Sequence, residues 1–118
     1  MVKVGAKELI TVSDDCFLKF WNVSNMKVEH SLPTETITCI ELTGGNGKGN
    51  KDILVAGCHS GDILLISVHQ RVLKETVTSA HYNLLRVIVS LESLKDRYFV
   101  TADACGVVKV WTSHFKPH

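Results

Sequence analysis

Three stretches decide the fold: ELITVSDDCFLKFWNV (8–23), ILVAGCHSGDILLISV (53–68) and YFVTADACGVVKVWTS (98–113). Each is an apolar run, a short polar or glycine-containing turn, and a second apolar run. Their register is constant, because Trp21, Ile66 and Trp111 fall 45 residues apart. The same offset aligns Leu9, Leu54 and Phe99, then Cys16, Gly61 and Gly106, then Leu18, Ile63 and Val108. Agreement of residue class at so many aligned positions marks an internal repeat. Short runs rich in Val, Ile, Leu, Phe and Thr, broken by Asp, Ser and Gly, predict a β-hairpin in each copy. Gly61 and Gly106 suit the positive φ of such a turn. Cys16, at the same place in the first copy, predicts either a different turn or a strained one.

Working outward, KVEHSL (27–32) answers VLKETV (72–77), and TITCIELT (36–43) answers LLRVIVSL (84–91), so each period holds four strands. A helix over 80–97 is the rival reading there, since Leu84, Ile88 and Leu91 also fall at helical spacing. The β-branched run Val87-Ile88-Val89 favours a strand, and the first half of the period has no helical counterpart. GGNGKGN (44–50) is longer than its equivalent near residues 93–96 and reads as a surface connection rather than a boundary.

A chain of 118 residues is one domain, and 45% hydrophobic residues against 21% charged describes a chain that buries a core. The formal net charge of +1 leaves no field to hold a nucleic-acid backbone or an anionic membrane. Cys16, Cys39, Cys58 and Cys105 are widely spaced, with no C-x-x-C pair of the kind zinc or redox chemistry favours, and read as small buried hydrophobes of a reducing compartment. No apolar run approaches the ~20 residues that span a bilayer, and MVKVGAKELI is not a signal peptide. These features point to a cytoplasmic chain, with the nucleus as the other compartment, and leave the sequon at Asn22-Val23-Ser24 without weight.

Four strands per period, with tryptophan late in the third strand of FLKFWNV (17–23) and VVKVWTS (107–113), resemble the WD-repeat β-propeller family. Ala80-His81 stands where that family usually has Gly-His. The resemblance covers nearly the whole chain. It implies a hydrogen-bonded tetrad of histidine, serine or threonine, turn aspartate and tryptophan, for which the third copy offers His81, Thr101 and Trp111. The aspartate position holds Cys105, with Asp103 displaced by two residues. The second copy has Ser60 there and Ile66 in place of the tryptophan, so the tetrads read as degenerate.

The expected fold is therefore all-β: about 2.6 four-stranded antiparallel WD-like blades of an incomplete propeller. The units are an incomplete blade at 1–35, a complete blade at 36–80 and an incomplete blade at 81–118. Closed propellers need roughly four to eight blades, so another chain or a missing N-terminal part is expected to close the ring. The chain accordingly reads as the C-terminal part or truncated form of a longer WD-repeat protein.

Catalytic and metal chemistry find no constellation. GGNGKGN lacks the spacing of a phosphate loop and leads into a strand, with no helix N-terminus to hold an anion. His59-Ser60-Gly61-Asp62 crowds a base and a nucleophile into one hairpin tip, with nothing to orient them. The histidines and cysteines are scattered, which argues against a metal or cofactor. Trp21 and Trp111 hold fixed places in the repeat and read as packing residues rather than recognition aromatics.

What remains is a non-catalytic protein-interaction scaffold. Its hairpin tips and inter-blade connections share one rim, which gathers Asp14, Asp15, Glu35, His59, Asp62 and Tyr82. Acidic groups predominate, so the expected partner is a protein or peptide of basic character. The alternative is a purely structural segment that supplies blades to a larger assembly.

Overall fold

The structure, a computed structural model, describes residues 2–3, 8–12, 15–43, 53–92 and 97–112; for 2–3, 91–92 and 97 it describes the backbone. The first sheet is β1 (Val2–Lys3), β2 (Glu8–Val12), β3 (Phe17–Asn22) and β4 (Lys27–Pro33), in that spatial order. The middle sheet is β5 (Ile37–Thr43), β6 (Ile53–Cys58), β7 (Ile63–Ser67) and β8 (Val72–Val77). The third is β9 (Leu85–Glu92), β10 (Arg97–Asp103) and β11 (Val108–Thr112). Every pairing is antiparallel between chain neighbours, as short turns allow.

The chain is all-β, with no helix among the described residues, and β9 occupies the stretch for which a helix was the rival reading. The first sheet, expected to be incomplete, has four strands. Val2–Lys3 pairs with Ile10 and Leu9 along the edge of β2. No helix of the described residues is long and apolar enough to cross a membrane.

The 45-residue repeat is written into the backbone as well as the side chains. Cys16, Gly61 and Gly106 all take positive φ, at 65°, 92° and 86°. The first turn therefore has the same build as the others, and Cys16 bears the steric cost that the two glycines avoid. Met26 and Arg71, at equivalent places in the β3–β4 and β7–β8 turns, share φ values of 56° and 57°. The ladders also shift register at matching places, between Phe20 and Trp21 and between Leu65 and Ile66.

Side-chain alternation along the strands stacks the sheets face to face. Ile10, Leu18 and Phe20 of the first sheet pack on Leu54, Ala56 and Ile66 of the middle one. On the opposite face of the middle sheet, Val55 and Ile63 meet Leu85, Ile88, Phe99 and Trp111 of the third. Because both its faces are covered, the middle sheet has strands that read as continuous apolar runs, as in ILVAGC (53–58). Its outer strand β8 is exposed and carries Lys74 and Glu75, charges that discourage edge pairing. Arg71 ties the middle sheet back to the first: its guanidinium lies 3.4 Å from Glu8, 3.2 Å from Glu29, and over the Phe20 ring at 5.5 Å.

Candidate functional site

The β2–β3, β6–β7 and β10–β11 turns lie along one rim, where hydrogen bonds lace them to the inter-sheet connections. Thr34 N–H donates to the Cys16 carbonyl at 2.9 Å, and His81 N–H to the Gly61 carbonyl at 3.0 Å. His59 N–H reaches the Thr36 carbonyl at 2.9 Å, and Ala104 N–H the Leu84 carbonyl at 2.8 Å. These bonds pin each hairpin tip to an adjoining inter-sheet connection, so the loops are held on a fixed frame.

Of the residues expected on this rim, Asp14 lies outside the described residues. Asp15 is exposed, accepts from the Phe17 N–H at 3.1 Å and pairs with Lys19 at 3.2 Å, so a neighbouring cation offsets its charge. Glu35 accepts a hydrogen bond from the Ser60 hydroxyl. Asp62 accepts from the Ser79 N–H at 2.9 Å. Among the described residues neither Glu35 nor Asp62 forms an ion pair, and the two converge on the end of β6. Burial first, then the charges of Glu35, Asp62 and Cys39, push the Cys58 thiol up to about 12. His59 is exposed beside them, and Tyr82 stands out from the next connection with 90% of its surface exposed.

Beneath Tyr82 is a buried polar chain. The Trp111 indole N–H donates to the Thr101 hydroxyl at 2.8 Å, Thr101 lies 2.6 Å from His81 Nε2, and His81 Nδ1 lies 2.8 Å from Asp103 Oδ2. An ionised carboxylate can only accept and an indole can only donate. The direction of the chain follows: Nδ1 donates to Asp103, and the Thr101 hydrogen is free to reach Nε2. The other oxygen of Asp103 accepts from the backbone N–H groups of Cys105, at 2.9 Å, and Val107, at 3.1 Å. Burial alone would raise the Asp103 carboxyl, but the bonds from His81, Val107 and Cys105 outweigh it and hold the group below the usual carboxylate range.

The expectation that Asp103 is out of place is therefore corrected. In the first hairpin Asp15 caps the turn by accepting from the Phe17 N–H, and in the second Ser60 accepts from the Asp62 N–H. Asp103 starts two residues earlier, yet its carboxylate spans the turn and also meets the histidine. In the first sheet the matching pair is present, with Trp21 N–H on the Thr11 hydroxyl at 2.9 Å. The middle sheet has Ala56 and Ile66 at those positions and cannot form it.

His81, Tyr82, Asn83, Asp103, Val107 and Lys109 line an open pocket of about 220 Å³ over this chain. Lys109 is held there, its ammonium donating to the Ala80 carbonyl at 2.6 Å and lying 5.8 Å from the centre of the Trp111 ring. Sequence reasoning gave no role to Asn83 or to Lys109, although Lys109 lies within VVKVWTS (107–113). The hydroxyl–imidazole–carboxylate order imitates a nucleophilic triad, but Thr101 is 0% exposed and its oxygen already accepts from the indole. A nucleophile needs a free path to its substrate. No group of three His, Cys, Asp or Glu side chains suited to a metal ion occurs among the described residues.

Comparison with protein-family models and with curated proteins gave no match to this chain.

Proposed function

We propose that the three sheets are blades of a WD-repeat-type β-propeller and that the chain is a non-catalytic scaffold whose laced rim docks a basic peptide or protein segment. The 45-residue register and the Trp111–Thr101–His81–Asp103 chain support the propeller reading. The observation that carries the docking reading is the convergence of Glu35 and Asp62 at one end of β6, each held by neutral donors, with Tyr82 exposed on the neighbouring connection. Fixed carboxylates without a cation attract a positively charged segment and orient it. An exposed phenol adds a flat contact at little entropic cost. All four cysteines are unbridged, in keeping with a reducing cytosolic or nuclear setting.

The test is binding of labelled basic, neutral and acidic peptides, followed by fluorescence anisotropy at low and high salt. Basic peptides should bind best, and their binding should weaken as salt rises. The combined reversal Glu35→Lys and Asp62→Lys should abolish the preference without unfolding the protein. Equal binding of all three peptide classes, or no response to the reversals, would favour the purely structural role instead.

A further inference from the structure

Each internal interface of the molecule joins two different faces of successive sheets. One contributes the tryptophan-bearing side, with Phe99, Thr101 and Trp111 in the third sheet and Leu54, Ala56 and Ile66 in the middle one. The other contributes the reverse side, with Val55 and Ile63 in the middle sheet and Ile10, Leu18 and Phe20 in the first. Among the described residues one face of each kind is left uncovered. In the first sheet it is the tryptophan side, where Trp21 and Leu9 are half-buried and Phe17 is exposed. In the third it is the reverse side, where Val87, Val89, Val108 and Val110 are exposed, Val108 by 62%. Val108 and Val110 are the repeat equivalents of Ile63 and Leu65, and of Leu18 and Phe20.

Four exposed valines on β9 and β11, the two strands that flank β10, are an association surface rather than scattered exposure. The missing cover for them is a tryptophan-side face, and the missing cover for the first sheet is a valine-type face. A second copy of this chain carries both. Resting on the propeller reading above, we infer that two copies join head to tail, the Trp21 face of each on the valine face of the other, and close a ring of six blades. Head-to-tail contacts close only when the rotation permits. Three sheets are present among the described residues of each copy, so two copies supply six, within the roughly four to eight that propellers use.

The experiment is sedimentation of the full chain and of two variants across a range of concentrations. Wild type should run as a dimer. Val108→Glu with Val110→Glu, and separately Phe17→Glu with Val28→Glu, should each weaken self-association by about tenfold or more. Mixed together, the two variants should pair one to one through the single junction that keeps both faces intact, more tightly than either variant with itself and more weakly than wild type. All four positions are exposed in the single chain, so folding should survive, which circular dichroism checks. Independently of any variant, wild-type tryptophan emission should shift to the blue as concentration rises and Trp21 becomes covered.

A folded wild-type monomer at every concentration, a trimer or an open fibre, a dimer untouched by both pairs of changes, or folded variants that fail to pair would each overturn the inference. Peptide binding at the rim is read separately, so a monomer that still selects basic peptides sinks the ring and leaves the scaffold standing.

Discussion

The middle and third sheets share the register of three strands and the positive φ of the hairpin glycine, yet their interiors are built from different chemistry. Where the middle sheet sets Ala56, Cys58 and Ile66 against the first sheet, the third sets Thr101, Asp103 and Trp111 against the middle one. The middle sheet, covered on both faces, is held by apolar burial at roughly 25 cal/mol per Å². The third, covered on one face, has a linked polar chain in which each member answers the next. Such a network is favourable when complete, and costly once a member is removed. The comparison shows that a repeat can keep its shape while exchanging the interaction that holds it, with cover by neighbours standing in for internal hydrogen bonds.

The largest expected effect tests that exchange. Thr101→Val keeps the shape but removes the hydroxyl to which the Trp111 N–H and His81 Nε2 are bonded, at about 1–3 kcal/mol for each buried group that loses its bond. At the matching place in the first sheet, Thr11→Val orphans the Trp21 N–H alone, on a half-buried face that water reaches, and should cost about 0.5–1.5 kcal/mol. Urea unfolding of the two variants reads the difference directly. Equal losses would mean that the third sheet gains nothing from linking its polar groups.

Next comes the contrast between the two glycine turns. Gly61→Ala and Gly106→Ala both place a side chain at positive φ, so that part of the cost is shared. At 61 the added carbon would fall 1.9 Å from the His81 carbonyl oxygen, whereas at 106 nothing lies within 4 Å. Thermal melts should therefore show Gly61→Ala as the more damaging by about 1–3 kcal/mol. Similar melting points would mean that the connection at His81 can lift off its turn.

The smallest effect is a pH dependence confined to the third sheet. Asp103 ionises more readily folded than unfolded, so its contribution is complete above the unfolded value of 3.8 and is lost as pH falls through the lower folded value. The middle sheet has Cys58 at that position and contributes nothing of the kind. Wild type should exceed Asp103→Asn in urea midpoint at neutral pH, and the gap should narrow only below 3.8. A gap that stays constant into that acid range would remove the carboxylate from the account.

The strands of the hairpins were legible because alternation and a fixed period act on many residues at once, and the placement of Glu35, Asp62 and Tyr82 outside the strands was legible because turn residues interrupt the apolar runs there. β1 was not, since Val2–Lys3 is too short to show alternation and is defined only by its partner β2. Asp103 was misread for a different reason. Alignment compares Cα positions, while a carboxylate reaches across a turn, so a displacement of two residues along the chain became no displacement at the histidine. The positive φ of Cys16 lay between two open options in the sequence, and the neighbouring connection decided it: Thr34 is anchored on the Cys16 carbonyl.

The doubly covered middle sheet also matters to the order in which the molecule is made. A ribosome releases residues 37–77 after the first sheet and before the third, so one face of the middle sheet gains its cover at once, while Val55, Ile63 and Leu65 wait for residues 85–111. In that interval the growing chain displays an apolar sheet face beside its exit point. Synthesis at about 5–20 residues per second makes the wait a matter of seconds. The side of the molecule that is best protected in the finished fold is thus the one most in need of a chaperone during its birth.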